Sequence, residues 1–296
     1  MVKQNLMSSD NVRIKTSLGG MAVMEYVKDI SVTPLASKLE FYCAEMNINR
    51  RQLLLNLSGN GYVVQAGAMQ WMSGQVSMGS GVKGVGDFLG KFVASKVTSE
   101  STVKPEYTGN GQVMLEPTYR HIILTDVADW GGSIVLDDGL FLACDNTLTQ
   151  KVVARSNLSS AVFGREGLFN LSLNGAGVCA LESIVPEEEL IEINLQDDVM
   201  KIDGNMAIAW SGSLNFSVEK SSKSLLGSAV SGEGLVNVYR GTGKIWMAPV
   251  IGGSYAAGQN APHENAAGGQ TGTSAGKKDT VGGALNTISN VLDIFS

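Results

Sequence analysis

The chain has 296 residues, 44% of them apolar and 17% charged, which is enough for one large core or two or three small ones. A net charge of −6 and a pI near 5.1 provide no clustered basic face, which excludes non-specific DNA binding and disfavours RNA. No run of 18 or more apolar residues is present, so no segment has the pattern of a membrane-spanning helix.

The first fifteen residues, MVKQNLMSSDNVRIK, have no uninterrupted apolar stretch of the kind a secretory leader needs, and Asp10 argues against a mitochondrial presequence. Residues 1–38 are set apart as an N-terminal extension. From there the chain repeats itself. The nonapeptide GNGQVMLEP (109 to 117) returns as GAGVCALES (175 to 183) and as GTGKIWMAP (241 to 249), at intervals of 66 residues. A second landmark precedes each copy: SGNGYVVQAGAM (58 to 69), LDDGLFLACDNT (136 to 147) and KIDGNMAIAWSG (201 to 212). Each places an N-G or D-G turn before an apolar run, the signature of a tight hairpin. The first copy is longer, and an insertion within residues 74–92 accounts for the difference.

Apolar residues alternate at Phe169, Leu171 and Leu173, at Val236 and Val238, and at Val113 and Leu115, a period of two that predicts half-buried strands. The expected fold is all-β: three tandem β-sandwich-like repeats over residues 39–117, 118–183 and 184–250, compatible with a pseudo-threefold axis. Gly109, Gly111, Gly175, Gly177, Gly241 and Gly243 each cost roughly 0.5–1 kcal/mol relative to alanine. Such residues persist where a strand needs positive φ, a bulge or a close neighbour, so they are read as structural glycines.

Residues 251–283 are rich in Gly, Ala, Ser, Asn and Gln and form the expected flexible linker. Beyond it Val281, Leu285, Ile288, Leu292 and Phe295 recur at helical spacing, which predicts a short amphipathic helix over 284–296. That helix is a candidate docking element, on the protein's own body or on a partner. Its polar face has no Lys or Arg, so a membrane surface is disfavoured and would be reached only through this segment.

The candidate chemistry is sparse. Histidine occurs at 121 and 263 alone, too few for a metal site on a β-scaffold or for an activated nucleophile. His121 is expected at a strand edge or in the core, and GGQTGTSAGKKD fails the phosphate-loop pattern. The acidic pairs Asp137 and Asp138, Asp197 and Asp198, and the run Glu187 to Glu189 are expected in turns or connections. Trp71, Trp130, Trp210 and Trp246 are expected as core or interface anchors. Cys43, Cys144 and Cys179 are odd in number, lack a C-x-x-C pair and are expected as buried thiols in a reducing cytoplasm.

The segments AGAMQWMSG, GLFLACD, EGLFNLSLNGAG, AIAWSGSL and SGEGLVNVYRGTG, in this order from about Leu39 to Val250, resemble the altered inheritance of mitochondria protein 24 family. The resemblance implies a β-rich fold similar to the tryptophan RNA-binding attenuation protein, of the double-stranded β-helix type and built by internal duplication. It carries over no catalytic residue. The expected function is therefore a non-enzymatic cytoplasmic scaffold or protein-interaction protein, without a cofactor, bound to a protein partner or to itself; the alternative is a binding module for a small ligand or RNA.

Overall fold

The computed structural model describes residues 6, 9–79, 104–154, 169–203, 206–220 and 235–250. β1 (Val12–Leu18) and β2 (Met21–Tyr26) form a hairpin, followed by α1 (Ser37–Glu45). Then come β3 (Arg51–Val64), β4 (Met69–Gly79) and β5 (Glu106–Leu115). The middle of the chain supplies β6 (His121–Asp126), β7 (Ser133–Leu136), β8 (Phe141–Asp145), β9 (Thr149–Ala154), β10 (Phe169–Asn174) and β11 (Val178–Ser183). β12 (Ile191–Asp203), β13 (Ala207–Ser211), β14 (Asn215–Lys220) and β15 (Leu235–Met247) complete the strands.

Two curled antiparallel sheets result. The first runs β1-β2-β3-β8-β11-β6, with β5 joining β3 to β4; the second runs β12-β15-β13-β7-β10-β9, with β14 on β15. In the first sheet β1 comes round beside β6, and an ion pair of 3.7 Å between Lys15 and Glu188 spans this seam.

The period-two alternation explains the three largest cores. Leu53, Leu55 and Leu57 of β3 meet Val113, Leu124 and Val178 inside the curl of the first sheet. Alternate residues of the same strands point the other way: Ile123, Phe141, Cys179 and Leu181 pack on Leu136, Leu173 and Ala209 of the second sheet. There Trp130 meets Trp246 edge to face, with centroids 4.8 Å apart, and donates its indole N–H to Thr125. A third cluster, around Trp210 and Tyr239, fills the curl of the second sheet.

Several expectations are corrected. Residues 1–38 are not merely an extension, because β1 and β2 pair onto β3 and bury Met21, Val23 and Met24. Residue 39 lies inside α1, where a β-unit was expected to begin. Asn60-Gly61 is no hairpin turn: β3 continues through it as a bulge, with Asn60 accepting from the Ser58 N–H, and the chain reverses at 65–68 instead. Residues 74–79, expected within an insertion, end β4. Asp197 and Asp198 sit in a bulge of β12 and not in a connection. Cys43 is a half-buried thiol on α1, whereas Cys144 and Cys179 are buried register partners. The linker, His263 and the predicted helix with Val281, Leu285, Ile288, Leu292 and Phe295 lie outside the described residues.

Candidate functional site

Helix α1 follows the turn at Pro34; Leu39 and Tyr42 within it, with Leu35 in that turn and Met46 at its C-cap, follow a 4-3-4 spacing. A stripe of this kind normally faces a core. Here it does not: none of the helix residues is buried, and Leu35, Leu39 and Met46 are 92%, 65% and 73% exposed. Ile30, Phe41 and Ile48 beside it are exposed too. Burying one such side chain stabilises by about 1.5–3 kcal/mol, so the free protein forgoes several such terms in one place. Its first turn has no side-chain cap at Ala36, whereas its C-terminal end is closed by Asn47 in the left-handed region and by the Ile48 N–H on the Cys43 carbonyl at 2.8 Å.

What holds this helix is a buried ion pair. Glu25 on β2 and Arg51 at the start of β3 are both sealed from solvent, and Arg51 Nη2 lies 2.8 Å from Glu25 Oε2. Arg13 of β1 donates to the other carboxylate oxygen at 2.6 Å. The rest of the Arg51 fork grips the loop after α1, donating to the Asn47 and Asn49 carbonyls and to Asn47 Oδ1. Asn47 has φ +61, a left-handed conformation that this grip maintains. Burial on its own would raise the Glu25 pKa, yet the hydrogen bond from Arg13 and the charge and hydrogen bond of Arg51 hold it below the ordinary carboxylate value. Removing one member of such a pair costs about 3–5 kcal/mol.

A second tie runs along the same edge. Tyr119 donates to Asp29 at 2.6 Å, and Arg50 approaches the other Asp29 oxygen at 3.4 Å while covering the Tyr26 ring. The hydrogen bond to Asp29 pushes the Tyr119 pKa up to about 12. Between residues 27–32 and α1 lies a groove of about 360 Å³, lined by Arg13, Asp29, Ile30, Glu40, Phe41 and Glu45 among others.

His121 starts β6 and is 9% exposed. Burial first, and the nearby positive charges of Arg51 and Lys15 next, lower its pKa to about 4. Its Nδ1 has no hydrogen-bond partner among the described residues, and it does not line the groove. Burial pushes Cys144 up, and Cys179 up to about 12, so both are poor nucleophiles. Among the described residues no group of three His, Cys, Asp or Glu side chains could hold a metal ion, and no helix is long and apolar enough to cross a membrane.

The six glycines occupy three strand crossings. Gly109 and Gly111 lie on β5 beside the β3 bulge, and a Cβ on Gly109 would stand 2.1 Å from the Gln75 carbonyl of β4. Gly175 and Gly177 separate β10 from β11 and bond the backbone at Gly132 and Val127, where β6 breaks from β7. Gly241 and Gly243 face the β12 bulge, where Thr242 accepts from the Asp197 N–H. None borders the groove among its lining residues. The sequence reading missed Glu25, Arg51 and α1. Only the 4-3-4 spacing could have found the helix, and no sequence pattern pairs residues 25 and 51.

The profile of the mitochondrial biogenesis AIM24 family matches residues 46–250, more than half of the chain. The chain belongs to this family. An uncharacterised protein of Streptococcus pyogenes serotype M6 is 29% identical over 197 residues, which span 64% of this chain and 77% of that protein. The crystal structure of a Streptococcus pyogenes protein is similar at a TM-score of 0.52 and 25% identity, covering 72% of this chain and 94% of that one. The AIM24 match begins just after α1, so the exposed helix lies outside the segment the profile shares.

Proposed function

We propose that this AIM24-family protein is a non-enzymatic scaffold or interaction protein of the cytoplasm, which engages another protein or itself through the face α1 presents. One observation carries the reading: the stripe Leu35, Leu39, Tyr42 and Met46 is exposed, yet it is mounted on a buried Glu25–Arg51 pair. A dense apolar patch on a fixed support fits a protein-binding surface. A buried neutral histidine and buried high-pKa thiols support a role without chemistry.

The same proposal reads the β-region as three copies of one unit, of the double-stranded β-helix type and similar to the tryptophan RNA-binding attenuation protein. In its favour, β5, β10 with β11, and β15 each run antiparallel between neighbours and carry a G-x-G opposite a bulge or break. The apolar stripe at 281–295 is a second docking element in this reading. A small-ligand module is the alternative, and the groove beside α1 favours it, since about 360 Å³ lies in the range of ligand sites.

Crosslinking in living cells, followed by mass spectrometry, tests the interaction role. Crosslinks from residues 30–48 to a protein are expected, and Leu39→Glu with Tyr42→Glu should abolish them. Absence of any such crosslink, together with a small molecule retained in native mass spectra, would replace this reading with the ligand module.

A further inference from the structure

The heptad pattern and charge placement of α1 identify what it binds. Within α1 Leu39 takes an a position and Tyr42 a d position, Leu35 in the turn before the helix and Met46 at its C-cap continue the spacing, and Lys38 and Glu45 both fall at g, on one exposed flank of the seam where Glu45 also borders the groove. The other flank, the e positions, carries Ala36 and Cys43, which turn toward the protein's own body and are partly covered. We propose that α1 is a self-association surface: two copies of the chain pair α1 against α1, antiparallel about a two-fold axis. This deepens the proposed interaction role and rests on it.

The geometry favours this occupant for three reasons. First, an antiparallel pair brings g positions of the two helices together, so Lys38 of each copy meets Glu45 of the other, giving two equivalent ion pairs. A parallel pair would set g against e, where Cys43 offers Lys38 no charge. Second, an isologous contact requires a self-complementary patch. The same register layers Leu39 on Tyr42 of the second copy, with Leu35 and Met46 meeting just beyond the helix ends, and sets no charged side chain in the seam. Third, six large apolar side chains in and around α1, Ile30, Leu35, Leu39, Tyr42, Met46 and Ile48, are 45–92% exposed, a density of apolar surface that marks a protein interface. A helix that buries none of its residues gains a second face in the dimer.

Sedimentation velocity of the purified full-length chain, from about 1 to about 100 µM, tests the proposal. Wild type is expected to shift from monomer to dimer with concentration. Leu39→Glu with Tyr42→Glu should leave it monomeric, with an unchanged circular dichroism spectrum. The charge variants discriminate further: Lys38→Glu and Glu45→Lys should each weaken the dimer roughly tenfold, by setting like charges together twice. The double variant Lys38→Glu with Glu45→Lys should recover most of the wild-type affinity. A wild type that is monomeric at about 100 µM overturns the proposal, as does a dimer indifferent to the two glutamates or a double variant no better than the singles. A monomer whose residues 30–48 still crosslink to a different protein in cells ends self-association and leaves the interaction role standing.

Discussion

His121 is a histidine kept neutral by its surroundings. Burial and the positive charges of Arg51 and Lys15 lower its pKa to about 4, while an unfolded chain holds this side chain near 6.5. Between those values the unfolded state binds a proton that the folded state does not. Stability is therefore full above about pH 6.5 and falls as the pH drops toward 4, by about 3 kcal/mol in all. Glu25 adds to the loss at lower pH: its carboxyl is held below the ordinary value, so its contribution disappears as the pH falls through its folded pKa. His121→Gln should remove the first part alone. Between pH 7 and pH 4.5 the urea midpoint should fall further for wild type than for the variant; parallel losses would refute the assignment.

At the scale of the element, the crossings of strands govern where glycine is required. Gly109 has φ +118, and a side chain there would drive into the Gln75 carbonyl at 2.1 Å, a backbone atom that cannot move away cheaply. Gly241 has nearly the same φ, +113, but no atom stands within 4 Å of its Cβ position. Alanine at 241 therefore meets conformational strain alone, about 1–2 kcal/mol, whereas alanine at 109 adds a steric conflict and costs about 3 kcal/mol or more. Thermal melts of the two variants decide it; an equal or larger loss at 241 would mean that φ alone sets the need. The alternating strands around these glycines were legible in the sequence, because period two reports directly which face of a strand is buried. The β3 bulge was not. Asn60-Gly61 has the chemistry of a turn, and only pairing with β5 on the far side holds the strand straight.

Across the whole described molecule, the second core makes the two sheets mutually dependent. Ile123, Phe141 and Leu181 of one sheet share it with Leu136, Leu173 and Trp246 of the other. Neither curl can separate without exposing that cluster to water. Far-UV circular dichroism and tryptophan fluorescence should therefore trace one coincident denaturant transition, since Trp71 reports on the first sheet and Trp210 on the second. Two resolved transitions would show that the sheets are stable apart.

The amino-acid sequence by itself determined the β character, the strands beside the G-x-G copies such as β5, β10 and β15, the recurrence of G-x-G and the family resemblance, all of which rest on local pattern. Tertiary structure decided the rest. Glu25 and Arg51 look like two solvated charges until the hairpin β1–β2 registers on β3 and shuts both away from water. The stripe at 35, 39, 42 and 46 reads the same whether it faces a core or solvent, because periodicity records which residues share a face and not what covers it. That choice was made by the Arg51 fork, which anchors the loop after α1 and leaves the apolar side of the helix pointing outward.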